Sequence, residues 1–341
     1  MKNPFDKGMK SGRLKVGVVG VGHLGSLHAG LLGQIDAAEL VGVYDIDAAK
    51  CRGIAEECGV RAFPDLATLF GSVQAVSVAT PTVTHHEIAM KAVSRGLHVF
   101  IEKPMTSTVA EAEELIRLVD SKSVKVQVGH IERFNPALLA LEKYRIDPMF
   151  IECHRLAQFN PRGTDVAVVL DLMVHDIDII LSLVRSPVVK IDASGVAVVS
   201  DSVDIANARL QFQNGCVANV TASRISQRKM RKMRLFQRDA YISIDFSENL
   251  AEVFRLVNED DPTAASTLML GEIGEGMKKR KIVYEQPEVK EVNALKCELE
   301  SFLDSILKQR EPIVTAGDGL RAIQVAGEIM EKIKLQGVQA T

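Results

Sequence analysis

The sequence predicts an α/β fold in which a doubly wound parallel sheet is followed by an α+β domain with a largely antiparallel sheet. Three observations carry this expectation. A Gly-x-Gly-x-x-Gly turn (Gly20, Gly22, Gly25) stands between a strand pattern and a helix pattern. Strand and helix patterns then alternate up to about residue 129, and the residues beyond are strand-rich. At 341 residues the chain is also too long for most single cores and fits two domains.

Val16, Val18 and Val19 supply the first buried strand, and the helix pattern runs from Leu24 to about Leu32. A second apolar strand, Leu40 to Tyr44, ends at Asp45, twenty positions after Gly25. A helix from Asp47 to Cys58, a short strand at Val60–Phe63 and a short helix from Pro64-Asp65 through Phe70 follow. Gln74 to Ala79 reads as a strand ending at Thr80-Pro81, Thr84 to Arg95 as a helix and His98 to Ile101 as a strand. Val109 to Ser121 is an amphipathic helix, and Lys125 to Val128 a sixth strand. In the second half, Phe150 to Leu156 is a strand, 166–184 contains a long helix and 188–256 is mostly strand-like. Asn214-Gly215 between two strand patterns predicts a type I′ hairpin. Residues 257–280, with Pro262 and several glycines, read as a long loop; Val292–Arg310 and Asp318–Leu335 have helical periodicity.

Ligands of doubly wound sheets sit beyond the carboxyl ends of the strands. That rule gathers Gly20 to Gly25, Asp45, Thr80-Pro81, Glu102-Lys103-Pro104 and Gly129-His130 around one crevice. Gly20 permits the tight turn, Gly22 lets backbone amides approach a pyrophosphate, and Gly25 lets helix and strand pack closely. The turn residues His23 and Leu24 open the helix, whose N-terminal N–H groups and partial positive charge favour phosphate. The side chains of His23 and His28 read as structural. Asp45 accepts hydrogen bonds from ribose hydroxyls and repels a 2′-phosphate, which favours NAD over NADP, although Arg52 nearby softens that preference.

Composition narrows the function classes. Hydrophobic residues at 47% and charged residues at 25% are ordinary for a soluble globular enzyme. A net charge of −3 argues against nucleic acid as the main partner. The five scattered cysteines lack a Cys-x-x-Cys pair and read as reduced thiols of a cytoplasmic protein. No segment approaches the ~18 consecutive apolar residues of a membrane span. The leader, residues 1–12, lacks the apolar stretch of a signal peptide and reads as a loose tail.

Several residues have the chemistry of a redox site. Lys103, after a strand end, is placed to hydrogen-bond a substrate hydroxyl and assist its deprotonation; an ordinary surface lysine is the alternative. Asp171 and His175 are four apart on a predicted helix, so the carboxylate can orient an imidazole acting as general base. A satisfied buried pair is the competing reading, and no metal is expected because a third ligand is lacking. His85 opens the helix after Thr80-Pro81, near the cofactor. The stretch Gly129 to Pro136, with Arg133 and Asn135, suggests substrate contacts or an interdomain hinge. The basic run from Arg224 to Arg238 reads as a solvated strand face, with diphosphate binding as a minority option.

Taken together, Gly20-x-Gly22-x-x-Gly25, Asp45, Ala79-Thr80-Pro81 with His85, Glu102-Lys103-Pro104, Asp171-x-x-x-His175-x-x-Asp178 and the closing Glu311 to Arg321 stretch resemble the glucose-fructose oxidoreductase/inositol dehydrogenase (Gfo/Idh/MocA) family along nearly the whole chain. The resemblance implies a Rossmann domain over residues 13–129, an α+β substrate domain over 130–316 whose open sheet makes oligomer contacts, and a C-terminal helix over 317–341 returning to the first domain. It implies NAD(P)-dependent oxidation of a sugar or cyclitol hydroxyl, with Lys103 and His175 in the catalytic roles. Which of the two is the base stays open. Within the family, Val128 to Pro136 and Thr164 to Asp178 are most similar to members that oxidise the 3-hydroxyl of UDP-N-acetylglucosamine, for 3-amination in lipid A or surface-glycan synthesis. That implies a homodimer or homotetramer coupled to an aminotransferase. A nucleotide sugar needs cations for its diphosphate, and Arg133, Arg155 and Arg162 are the candidates. A myo-inositol or free-aldose dehydrogenase, and a non-catalytic NAD-binding sensor, are the alternatives.

Overall fold

The structure, a computed structural model, describes residues 12–160, 166–258, 260, 268–274 and 279–339. It divides into two units, Met1–Ile131 with Asn293–Leu320, and Glu132–Val292 with Arg321–Thr341.

In the first unit the strands are β1 (Leu14–Val19), β2 (Ala38–Tyr44), β3 (Arg61–Ala62), β4 (Ala75–Val78), β5 (His98–Glu102) and β6 (Val126–Gly129). All pair in parallel, in the order β3-β2-β1-β4-β5-β6. The order reverses between β1 and β4, which is where a doubly wound sheet opens its ligand crevice. Between the strands run α1 (His23–Leu32), α2 (Ala48–Cys58), α3 (Leu66–Phe70), α4 (His85–Ser94) and α5 (Val109–Asp120). Local chemistry sets their ends. Asp47 caps α2 by accepting from the Ala49 and Lys50 amides, and Gly59 closes it in the left-handed region (φ 65°). Thr108 and Glu111 form a reciprocal capping box on α5.

Leu14, Val16 and Val18 of β1 pack with Ala29 and Leu32 of α1 and with Phe100 of β5. The same core takes in Leu299, Phe302, Leu303 and Ile306, residues from near the end of the chain. They lie on a helix at Ala294–Leu307 whose Phe302 ring meets Phe100 edge-on at 5.9 Å. Beyond it, Val314 accepts from the Val128 amide and Thr315 bridges Gln127, extending the contact along β6. The segment that returns to the nucleotide-binding unit is therefore 293–320. The last helix, Ala316–Gln339, belongs to the second unit from Arg321 onward, where Val325, Ala326, Ile329 and Ile333 join that unit's core. Periodicity alone does not say which core an apolar face enters, and this corrects the expectation for 317–341.

Among the described residues, the second unit is built on nine strands. They are β7 (Phe150–Leu156), β8 (Val188–Val196), β9 (Ile205–Phe212), β10 (Val217–Ser223), β11 (Met230–Gln237), β12 (Ala240–Asp245), β13 (Leu250–Asn258), β14 (Leu268–Ile273) and β15 (Arg280–Glu285). The order is β14-β15-β13-β12-β11-β7-β10-β9-β8, antiparallel except for the β7–β10 pair. The short helix α6 (Pro136–Leu139) precedes the sheet. The helix α7 (Val174–Val184) lays Ile177, Ile180 and Val184 in one core with Ile151, Leu210, Val220, Met233 and Leu235 of the strands. Along the opposite face Phe150, Phe236, Tyr241, Phe254 and Tyr284 form a cross-strand aromatic ladder with centroid spacings of 5.0 to 5.9 Å.

Three local expectations need correction. Residues 257–280 are not one loop, because β13 reaches Asn258 and β14 occupies Leu268–Ile273. As the edge strand, β14 buries neither face and shifts register between Met269 and Gly271, so no burial alternation announces it. The β9–β10 hairpin forms, but Gly215 alone of the Asn214-Gly215 pair takes positive φ (86°). Its amide donates to the Phe212 carbonyl and Phe212 donates to Cys216, which makes a three-residue loop instead of a type I′ turn. Finally, the helix expected over 166–184 opens with a π-turn at Val169–Met173 before α7 begins. The five cysteines are free thiols.

Acid sensitivity follows from His98 at the start of β5. Burial first, and then the Lys125 charge, lower its pKa to about 4, while its Nδ1 accepts the Lys125 amide at 2.8 Å. A depressed histidine is neutral in the fold where the unfolded chain is already protonated, so its stabilisation is lost as pH falls from about 6.5 to about 4. Urea denaturation of the wild type is expected to lose on the order of 2–3 kcal/mol to this residue across that window. His98→Asn, which keeps an acceptor for the amide, should show a flatter profile; equal slopes in the two proteins would remove His98 as the cause.

Candidate active site

The glycine turn leaves β1 so tightly that a side chain at Gly25 would put its Cβ 1.7 Å from the Gly20 carbonyl oxygen. Gly20 has φ 84° and lies against Thr80. Those two positions accept glycine only. A Cβ at Gly22, by contrast, would meet nothing within 4 Å, so the turn's outer side is open where α1 presents its first N–H groups. Asp45, just past β2, accepts the Val21 amide on Oδ2 (2.7 Å) and the Asp47 amide on Oδ1 (2.8 Å). Each carboxylate oxygen retains acceptor capacity for a ribose hydroxyl. The space at Gly22, the helix N-terminus and the fixed carboxylate fit a dinucleotide.

Next to this turn, the ends of β4 and β5 are tied together through His85. Its Nδ1 lies 2.9 Å from the Pro104 carbonyl oxygen and its Nε2 2.8 Å from that of Thr80. Burial lowers the pKa of the ring, against the pull of both carbonyls and of Glu102. His85 therefore fixes Thr80-Pro81 to the Glu102-Lys103-Pro104 corner. Beneath that corner runs a buried chain of polar groups that sequence reasoning missed. Ser77 Oγ lies 2.7 Å from His28 Nδ1, His28 Nε2 lies 3.1 Å from Glu102 Oε1, and Glu102 Oε2 accepts the Lys103 amide at 3.2 Å. His28 and Ser77 are fully buried or nearly so. The available signal was a serine inside the apolar strand Ala75–Val78 and a histidine one turn after Gly25, on strands and helix that the topology makes neighbours.

In the second unit the structure separates catalytic candidates from structural cations. Asp171 lies in the π-turn and His175 in the first turn of α7, so their spacing is not that of a regular α-helix; such turns occur often at functional sites. The next two acids of the helix are anchors. Asp178 receives Arg133 Nε and Nη2 at 2.6 and 2.7 Å, and Asp176 receives Arg155 Nε and Nη2 at 2.8 and 2.7 Å. Arg155 Nη1 also donates to Glu132 at 2.7 Å. Burial opposes the charge on Arg155, but Asp176 and Glu132 outweigh it and raise its pKa. Asn135 caps α6 through the Ala137 amide and donates to the Phe246 carbonyl. The guanidinium forks of Arg133 and Arg155, expected at a diphosphate, are thus engaged by carboxylates, and Arg162 lies outside the described residues.

The basic run after Arg224 divides by strand alternation. Lys232 and Arg234 face the aromatic-ladder side of β11 and pair with Asp245 (3.1 Å) and Glu152 (3.4 Å), the solvated face that was expected. Arg231 points to the α7 side, opposite Arg155 in register and 3.7 Å from Glu132.

A sheet of this order with this turn defines a dinucleotide-binding protein. The profile of the oxidoreductase family with an NAD-binding Rossmann fold matches residues 14–130, and that of the GFO/IDH/MocA C-terminal domain matches residues 151–243. The chain belongs to the GFO/IDH/MocA family. It is 36% identical to a UDP-N-acetylglucosamine 3-dehydrogenase of Acidithiobacillus ferrooxidans over 93% of this chain and 96% of that one. The solved structure of that enzyme superposes with a TM-score of 0.84 at 34% identity, covering 95% of this chain and 98% of the other. An inositol 2-dehydrogenase of Rubrobacter xylanophilus is 33% identical, over 49% of this chain and 51% of its own. The cofactor is NAD, as the family profile describes. Among the described residues no helix is long and apolar enough to cross a membrane.

Proposed function

We propose that the protein oxidises the 3-hydroxyl of UDP-N-acetylglucosamine to the 3-keto sugar. The observation that carries this reading is the near full-length match to an enzyme of that activity, where the match to the inositol 2-dehydrogenase spans about half of either chain. The Gly20–Gly25 turn and Asp45 would hold NAD, which would supply the hydride acceptor for oxidation at C3. Lys103 and His175 share the remaining work: one takes the hydroxyl proton as the carbonyl forms, and the other hydrogen-bonds the same oxygen. Asp171 orients His175, and the Ser77–His28–Glu102 chain with His85 fixes the backbone from which Lys103 projects. The wider reading is a cytoplasmic homodimer or homotetramer whose product feeds an aminotransferase in lipid A or surface-glycan synthesis.

The test is incubation of the protein with NAD and, separately, UDP-N-acetylglucosamine, other UDP-sugars, myo-inositol and free aldoses. Reduced cofactor is followed by absorbance in the presence of a carbonyl trap that draws off the ketone. UDP-N-acetylglucosamine is expected to exceed inositol and aldoses in kcat/KM by about a hundredfold or more, the discrimination available when a site's buried polar groups are left unmatched. A higher kcat/KM for inositol or an aldose would overturn the assignment.

A further inference from the structure

Arg224, Lys229 and Arg231 line a cavity of about 350 Å³ in the second unit together with Asp171, Leu172 and Ser247. Sequence spacing alone scatters these residues across the end of β10, the turn before β11 and β11 itself. The fold gathers them because β11 runs antiparallel to β7, bringing Arg231 opposite Arg155 where the apolar inner face of the sheet ends.

The three cations differ in how they are held. Arg224 is 6% exposed; its Nη2 donates to the Val166 carbonyl, and its Nε lies 4.0 Å from Asp204 Oδ1. Three backbone amides, Val198, Val199 and Ser200, donate to Oδ2 of that Asp204, so the anchor is itself fixed. Arg231 is only loosely satisfied, at 3.7 Å from a Glu132 carboxylate whose same oxygen already accepts from Arg155 at 2.7 Å, and its side chain is 53% exposed. Lys229 lies in the exposed turn at the rim. Arg224 is held against Asp204 and is rigid, whereas Lys229 and Arg231, exposed and at most loosely held, are able to adjust to a ligand.

We infer that this cavity is the diphosphate subsite of a nucleoside-diphosphate sugar, which rests on the nucleotide-sugar reading above. Its volume lies at the low end of the ~300–1,000 Å³ usual for small-molecule sites, enough for part of such a ligand and not the whole. A diphosphate presents two adjacent anionic phosphoryl groups, and paired cations meet it with short charge-assisted hydrogen bonds. Asp171 is on the same wall as the three cations. The cations that discriminate a nucleotide sugar from a free sugar are thus Arg224, Lys229 and Arg231, in place of Arg133 and Arg155, whose forks are engaged.

The experiment compares wild type with Lys229→Gln and Arg231→Gln, both at exposed positions, in steady-state oxidation of UDP-N-acetylglucosamine and in competitive inhibition by UDP, with uridine as the uncharged control. Each substitution is expected to raise KM for the nucleotide sugar about tenfold or more, the loss typical of one hydrogen bond to a charged group. The inhibition constant of UDP should weaken in parallel, with kcat, the weak effect of uridine and the NAD dissociation constant within about twofold of wild type. Wild-type turnover with KM unchanged in both variants overturns the subsite alone. A wild type that neither oxidises any UDP-sugar nor is inhibited by UDP overturns the nucleotide-sugar reading, and the subsite with it.

Discussion

Replacing Lys103 with alanine is expected to lower kcat by about 10³-fold, within the range attributed to a positioned general acid or base, and to leave NAD affinity within about twofold. The separation is possible because the Lys103 backbone is held from several sides without its side chain. Its amide donates to Glu102, Glu102 is held by His28, and His28 by Ser77. Pro104 is tied to Thr80 through His85. Truncation therefore removes chemistry and leaves the cofactor turn in place. His175→Asn, on the other unit, should cost a comparable factor, and the pH dependence of kcat/KM then separates the roles. The variant lacking the base loses the limb of the profile on which activity rises with pH; the variant lacking only the hydrogen-bond donor keeps that limb at lower amplitude. Lys103→Arg, which keeps charge but not the readily shifted pKa of an amine, should not restore activity. If Lys103→Ala kept more than about a tenth of wild-type turnover, neither catalytic role could be assigned to it.

The glycine turn and the strand ends were legible because each depends on one residue type in one local geometry. Only glycine fits at Gly20 and Gly25, and the strand-end rule places Asp45, Thr80 and Lys103 on one rim. Positions whose role depends on a distant partner were not legible. Arg155 reads as a cation suited to a diphosphate, yet it stands on the inner face of β7 and is satisfied by Asp176, twenty-one residues away. His28 reads as a lone helical histidine until β4 and β5 supply Ser77 and Glu102. The basic run could be divided only when β11 had a register, because strand alternation sends Arg231 to one face and Lys232 and Arg234 to the other. The returning segment was misplaced for the same reason: two amphipathic helices close the chain, and nothing in either pattern says which core it enters.

Arg155→Met is expected to destabilise the second unit by about 3–5 kcal/mol, the usual cost of removing one partner from a buried ion pair. Arg155 is 3% exposed and Asp176 1%, so the substitution strands the Asp176 carboxylate away from water and leaves Glu132 with the looser contact to Arg231 at 3.7 Å. The stability gap between variant and wild type is read by urea denaturation at neutral pH. The triple variant Arg155→Met, Asp176→Leu, Glu132→Gln removes the orphaned charges and should recover most of the loss, since buried ion pairs are often replaceable by packed apolar groups. The triple variant also decides between the two readings of Arg155. A structural guanidinium predicts a folded triple variant whose KM for UDP-N-acetylglucosamine stays within a few-fold of wild type, whereas a diphosphate ligand predicts a KM raised at least about tenfold even where stability has been restored.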